Sequence, residues 1–300
     1  MPSRFDAALR RRESFHLSPA GPTDARRLID GEGDGLPGIE LETFADHWLV
    51  STRDVRISAE MAGWLRDSGR SIYHKRLDQH QKESPAHFAG PMVEAPFLIH
   101  ENGLLFEISF QSGYSQGIFL DQRDNRLALR QRLGSGKTLL NTFAYTGAFS
   151  VAAAAAGAIT TTLDLSQPYL DWARRNLEHN SFDPSEHFFC KGDTFHWLRR
   201  FAKQGRSFDA IVLDPPTFSR DKDGKVFRVE TDYGQLAALA ARCLAPGGVL
   251  LASTNCRQLS EPAFLRALRD AIPQAHRFTA APMPPDFTGE SYLKSVWVEL

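Results

Sequence analysis

Five consecutive residues, Asp214-Pro215-Pro216-Thr217-Phe218, follow directly on the apolar run Phe208 to Leu213. Two successive prolines fix the backbone and remove two donors, so Asp214 and the local carbonyls become rigid acceptors at a strand's end. Phe218 supplies a face on which a flat ring can stack. The corner suits a planar amine or base, with its ring on the aromatic face and its edge nitrogen on the acceptors. A Pro-Pro pair is usually just a turn; the acid before it and the aromatic after it point to chemistry. Two further acids stand at strand ends. Asp164 closes the β-branched run Ile159 to Leu163 and falls about 20 positions after Phe143, the offset at which a nucleotide fold places its ribose-binding acid. Asp193 follows the short run His187 to Cys190, where a carboxylate can accept an exocyclic amino hydrogen.

The elements that must position these acids are legible from periodicity. Thr138 to Phe143 is a largely apolar strand, Phe149 to Ala156 an Ala-rich helix closed by Gly157, and Ile159 to Leu163 the next strand. Between them the turn reads Phe143-Ala144-Tyr145-Thr146-Gly147. A dinucleotide fold needs G-x-G-x-x-G there to bring backbone amides to a pyrophosphate. One glycine and two aromatic rings make a poor phosphate cradle, which argues against a nicotinamide dehydrogenase. A nucleoside with an uncharged-to-cationic tail fits better, and a ligand-free βαβ unit is the alternative. Gln167 to Asn180 has Tyr169, Leu170, Ala173 and Leu177 on one face. A second helix carries Leu236, Leu239, Ala240, Cys243 and Leu244, and leads through Pro246-Gly247-Gly248 to a strand at Val249–Ser253. A third, Ala263 to Ile272, follows a cap at Ser260-Glu261-Pro262. Strands around 276–280 and 292–300 finish the sheet in antiparallel fashion. The alternation is that of an open, doubly wound α/β sheet with its crevice at the strands' carboxyl ends.

The 300 residues are 42% hydrophobic, enough for one large domain and a smaller one. A net charge of −1 excludes a globally basic nucleic-acid coat, so a polyanion must meet a local patch. No apolar run reaches the ~18 residues of a membrane helix, and three scattered cysteines suggest neither disulfides nor zinc; a cytoplasmic protein without metal is expected. Residues 1–19 form a basic segment in which Arg10-Arg11-Arg12 read as a solvated helix face or an RNA-backbone contact. Residues 20–110 read as a small α+β domain with a hairpin after Asp34-Gly35-Leu36-Pro37-Gly38, a helix over 56–68 and strands at Ser71–Leu77 and Leu104–Phe110. Lys75, Arg76 and Lys82, near His74, His80 and His87, are candidates for a substrate groove. Residues 111–300 form the larger domain, where Asp121 is placed to cap a charged helix. Past the Asp-Pro-Pro corner, Arg220, Lys222, Lys225 and Arg228 make a basic loop suited to phosphates or to solvent.

NTFAYTGAFS, LDLSQPYLDWARRN, FDAIVLDPPTF and LAPGGVLL resemble, in order and spacing, the signatures of class I S-adenosylmethionine-dependent methyltransferases. GIFLDQRDNR narrows the resemblance to the bacterial 23S rRNA base methyltransferases, the group containing RlmI-like and RlmK-like enzymes. It extends from about Ala25 to the C-terminus. The resemblance implies a Rossmann-like fold with a mostly parallel seven-stranded sheet, S-adenosylmethionine as cofactor and RNA as partner, with the oligomeric state left open, a homodimer included. It implies that Asn141, Phe143, Tyr145, Thr146 and Gly147 surround the methionine end of the cofactor. Asp164 would take the ribose hydroxyls, Leu165 would lie beside the adenine and Asp193 would take its amino group. Asp214, Pro215, Pro216 and Phe218 would hold the accepting base. Members of the first type usually begin with a PUA-type RNA-binding domain, which this chain is read as lacking.

The acceptor atom turns on one thiol. A ring nitrogen with an in-plane lone pair, such as guanine N7, needs no base, whereas carbon-5 of a pyrimidine needs a thiolate to add at C6. Cys256, in Ser253-Thr254-Asn255-Cys256, is the candidate nucleophile. Related carbon-5 enzymes carry Ser-Cys-Ser, and counting from Gly247-Gly248 puts Asn255 at the cysteine position; Ser-Thr-Asn looks more like the Ser-Asn-Asn of the guanine-N7 type. The expected function is therefore methylation of an RNA base, guanine in 23S rRNA. The rivals are a 5-methylcytosine enzyme using Cys256, a small-molecule methyltransferase, and a non-catalytic RNA-binding or ribosome-assembly module.

Overall fold

The computed structural model describes residues 3–13, 18, 20–79, 83–93, 96–113, 115–220 and 226–300. The chain divides into two compact units, Met1–Arg123 with Pro284–Ser291, and Asp124–Met283 with Tyr292–Leu300.

The first unit runs α1 (Arg4–Arg11), β1 (Ala25–Asp30), β2 (Ile39–Phe44), β3 (His47–Thr52), α2 (Ala59–Asp67), β4 (Ser71–Arg76), β5 (Ala86–Ala89), β6 (Phe97–Glu101) and β7 (Leu104–Ile108). β1 to β5 form one sheet in chain order, antiparallel except for the β3–β4 pair, and β6 and β7 form a hairpin. Its core gathers Phe5, Leu41, Trp48, Met61, Leu65 and Ile72. Arg12, expected on a solvated face, is fully buried. Its guanidinium donates to both oxygens of Asp34 (2.9 and 2.7 Å) and to the Asp286 carbonyl at 3.0 Å. A buried guanidinium is tolerable only when paired and hydrogen-bonded in this way. The segment Pro284–Ser291 is held here by Asp286, whose carboxylate accepts from Arg123 (2.5 and 3.2 Å) and from the Arg27 amide (2.9 Å).

The second unit takes α3 (Arg123–Arg132), β8 (Thr138–Thr142), α4 (Ala148–Ala154), β9 (Ile159–Asp164), α5 (Gln167–His179), β10 (Phe188–Lys191), α6 (Thr194–Lys203), β11 (Phe208–Leu213), β12 (Phe218–Arg220), β13 (Val226–Arg228), α7 (Val229–Ala241), β14 (Leu244–Thr254), α8 (Glu261–Ala271), β15 (Arg277–Ala281) and β16 (Lys294–Glu299), α3 starting on the last residue of the first unit. Its main sheet has seven strands in the order β10-β9-β8-β11-β14-β16-β15. The first five are parallel, and β16 and β15 close the sheet antiparallel, as the sequence predicts. Every residue of α4 is buried, and its alanines and single serine let it lie close on the sheet. Ser260 caps α8 by accepting from the Ala263 amide. Two boundaries differ from expectation. β14 begins at Leu244, because the chain pairs with β11 there and resumes register after an irregularity that absorbs Pro246-Gly247. Asp121 lies inside a 3₁₀ turn, Leu120–Gln122, that feeds α3, rather than at its cap.

No helix among the described residues is long and apolar enough to cross a membrane. No cluster of described residues could hold a metal ion, and His80 and Lys82 lie outside the described residues.

Candidate active site

Strand order reverses between β8 and β11, the first running on to β9 and β10 and the second to β14. The carboxyl ends of those strands frame the crevice where open α/β sheets take their ligands. The turn after β8 is unusual. Phe143 (φ 51°), Tyr145 (φ 50°) and Gly147 (φ 76°) all adopt the left-handed region, and two of the three are bulky. Such backbone costs of the order of 1–3 kcal/mol per residue and collects at functional sites. Three of the turn's amides are already engaged. Ala144 N–H donates to the Leu163 carbonyl (3.1 Å), Tyr145 N–H to Asp164 Oδ2 (2.9 Å) and Gly147 N–H to the Ala144 carbonyl (2.8 Å). Engaged amides cannot cradle phosphates, so the turn fits a nucleoside without a pyrophosphate.

Asp164 is the hinge of this arrangement. Oδ2 accepts from Tyr145 and Oδ1 from the Ser166 amide at 2.9 Å, while its carbonyl accepts from Gly192 N–H at 2.9 Å. Burial pushes its carboxyl above the usual carboxylate range, against the opposing pull of the Ser166, Tyr145 and Leu165 amides. A carboxylate oxygen can accept more than one hydrogen bond, so a group held by amides in this way can still take a donor from the crevice. Next to it, Leu165 is 52% exposed, a large apolar surface that a flat base could cover. Asp193 caps α6, accepting from His196 N–H at 2.8 Å.

Asn141 and Thr146 sit deeper than the sequence suggests. Asn141 is 1% exposed and donates to Ser150 Oγ (3.0 Å), which is itself 2.8 Å from Thr162 Oγ1. Thr146 is buried, and its carbonyl accepts from the Nδ2 of fully buried Asn176 at 2.9 Å. These bonds tie the turn to α4, β9 and α5. Gly147 is demanded by packing as well as by its φ, since a Cβ there would lie 2.6 Å from the Ala173 Cβ.

Across the switch point, β11 delivers Asp214, half-buried, and Pro215, buried, with Phe218 49% exposed. Thr217 Oγ1 donates to Asn255 Oδ1 at 2.9 Å and so joins this corner to the end of β14. Tyr233, absent from the sequence-based site, underlies it. It is fully buried, and its hydroxyl bridges the carbonyls of Leu213 (2.9 Å) and Ser253 (3.1 Å), clamping β11 to β14. Burial, and then the nearby Asp214 charge, raise its hydroxyl pKa well above the ordinary tyrosine value, so it remains a donor. Its position three before Leu236 and seven before Ala240 is the only sequence signal for it.

Of the basic loop, Arg228 pairs with Phe218 across the β12–β13 hairpin and lies 5.5 Å over its ring. Arg220 contributes its backbone to the same hairpin, and Lys222 and Lys225 lie outside the described residues. Cys256 is 1% exposed, and its Sγ donates to Glu230 Oε1 (3.3 Å) and Gln258 Oε1 (3.4 Å). Burial, then the Glu230 carboxylate, push its thiol pKa up. A buried thiol facing a carboxylate is a weak nucleophile.

Sheet order, acid-tipped strands and a turn whose amides are engaged mark a fold of the methyltransferase kind. The profile of the S-adenosylmethionine-dependent methyltransferase family matches residues 26–296. The chain belongs to that family, and its cofactor is S-adenosylmethionine. It is 37% identical over 257 residues to ribosomal RNA large subunit methyltransferase I of Pseudoalteromonas translucida, covering 82% of this chain and 64% of that protein. The protein of the same name from Klebsiella pneumoniae is 34% identical over 286 residues, covering 91% and 71%. A crystal structure of SMU.776, described as a candidate methyltransferase and complexed with SAH, superposes with a TM-score of 0.85 at 29% identity, over 99% of this chain and 80% of that one.

Proposed function

We propose that this chain methylates a base of large-subunit ribosomal RNA, with a ring nitrogen of guanine as acceptor. RNA as substrate draws on the relatives named for that activity. When bound, the cofactor supplies a methyl group on a sulfonium centre. The chain's own residues then have to align and shield. Asp164 accepts the ribose hydroxyls, Leu165 covers one face of the adenine and Asp193 accepts from its amino group. The turn Phe143, Tyr145, Thr146 and Gly147, propped by Asn141, encloses the methionine end. Asp214, Pro215 and Pro216 offer acceptors to the edge of the target base while Phe218 stacks on its face. Arg228 stands beside that ring for a phosphate, and Arg220, Lys222 and Lys225 extend the same role. Alignment of this kind can supply roughly 7–11 kcal/mol of the barrier.

One observation favours nitrogen over carbon-5. A carbon-5 acceptor needs a thiolate at the base, and the thiol nearest the corner is buried, protonated and directed at Glu230. Guanine N7 has its own in-plane lone pair and needs no proton removed. Incubation with methyl-labelled S-adenosylmethionine and unmodified large-subunit rRNA, followed by digestion to nucleosides, should yield labelled 7-methylguanosine. Labelled 5-methylcytidine would overturn the acceptor, and label absent from RNA would overturn the substrate.

A further inference from the structure

Helix α6 buries Phe195, Leu198 and Phe201 and turns its other side to solvent. That outer side carries His196, Arg199, Arg200 and Lys203, all exposed, at spacings i, i+3, i+4 and i+7, which align them as one stripe. No acid occurs between Asp193 and Asp209. Some surface arginines elsewhere stand beside carboxylates, as Arg4 with Glu60, Arg70 with Asp46 and Arg174 with Asp171, while others among the described residues, such as Arg66 and Arg242, do not. None of the three α6 cations forms an ion pair among the described residues. Like charges three and four residues apart repel, a cost the helix dipole offsets in part because Arg200 and Lys203 lie in the last turn. An anionic partner would reverse that cost.

The flank of the stripe is aromatic. Arg200 lies 4.9 Å over the Trp197 ring, whose indole N–H donates to the Lys191 carbonyl at 3.2 Å. β10 ends the sheet and presents Phe188, 53% exposed. Arg206 stacks 5.2 Å from that ring and is pinned by its bond to Thr161 Oγ1 (2.8 Å) and by Phe201 and Phe208, so it holds Phe188 in place. Rings and cations joined in this way match single-stranded nucleic acid, whose backbone seeks cations and whose bases stack on aromatic faces. We infer that the α6 stripe and Phe188 form a docking surface for an unpaired stretch of RNA outside the base-holding corner. Seven residues of helix span about 10 Å, on the order of two or three phosphates. The inference rests on the reading of RNA as substrate and adds where the flanking chain is held.

The test is a salt titration of binding to a single-stranded fragment of unmodified large-subunit rRNA, with S-adenosylmethionine affinity measured alongside. Replacing Arg199, Arg200 and Lys203 together by glutamine should weaken RNA binding by about tenfold or more. It should also flatten the slope of log K against log salt by about 2, with cofactor affinity unchanged. Phe188→Ala should weaken binding by about tenfold with the slope unchanged. Should the triple variant lose cofactor binding, Arg199→Gln and Lys203→Gln singly should each flatten the slope by somewhat under 1. Wild-type affinity and slope in these variants would overturn the surface while leaving RNA as substrate. A wild-type protein that binds no RNA would overturn both readings. Loss of binding to phosphatidylserine vesicles with RNA binding intact would reassign the stripe to membranes and overturn it.

Discussion

Asp164 joins a structural task to a binding one, and its protonation should show in both. Its folded pKa is raised by burial, so the neutral form is favoured in the fold relative to the unfolded chain. Its contribution to stability is therefore fully present below the unfolded carboxylate pKa and is lost as pH rises through the raised folded value. A ribose diol donates to the ionised form, so cofactor affinity should run the opposite way. It should fall as pH drops through that raised value and reach a plateau above it, as calorimetric titration across the acidic range would show. Cys256 makes the complementary prediction. Its thiol is held protonated, so Cys256→Ala should keep methyl transfer within a fewfold of wild type and cost about 1–3 kcal/mol of stability for the lost packing. Activity abolished in a variant that still binds cofactor would restore the thiolate route.

At the scale of elements, two sites test how strands and helices are joined around the crevice. Gly147 lets α4 start against α5, and an alanine there meets Ala173 at 2.6 Å in a left-handed backbone. Gly147→Ala should cost about 1–3 kcal/mol in denaturant titration and weaken cofactor binding as the turn shifts. Asp193 caps α6 through the His196 amide. Asparagine caps about as well as aspartate, so Asp193→Asn should leave the unfolding midpoint nearly unchanged, whereas Asp193→Ala should lose about 0.5–2 kcal/mol. If the carboxylate also takes the adenine amino group, both variants should weaken cofactor binding. An unchanged affinity in Asp193→Asn would reduce the residue to a cap.

For the molecule as a whole, the chain's second visit to the first unit depends on one buried carboxylate. Asp286 is fully buried and accepts from Arg123 and from the Arg27 amide. Removing one partner of a buried pair strands the other, so Asp286→Ala should cost about 3–5 kcal/mol, measured as a lowered denaturation midpoint. Asp46→Ala, at an exposed pair with Arg70, should change stability by less than about 1 kcal/mol.

The sequence by itself determined the second unit's plan. The alternation of apolar runs with helical stripes marks an open, doubly wound sheet finished in antiparallel fashion, and the acids at Asp164, Asp193 and Asp214 mark strand ends because each follows a β-rich run. Those are local patterns, and local patterns survive in one dimension. What the tertiary structure alone decided is which polar groups are consumed. Arg12 reads as a solvated charge until Asp34 and Asp286 are brought to it from 22 and 274 positions away. Asn141 reads as a ligand-facing amide until Ser150 and Thr162 close around it, and Tyr233 reads as one more apolar helix position until two strand-end carbonyls converge on its hydroxyl. Cys256 reads as a thiol near the crevice until α7 places Glu230 against it. A buried polar group must find its partners wherever the fold supplies them, and those partners are set by packing, not by neighbours along the chain.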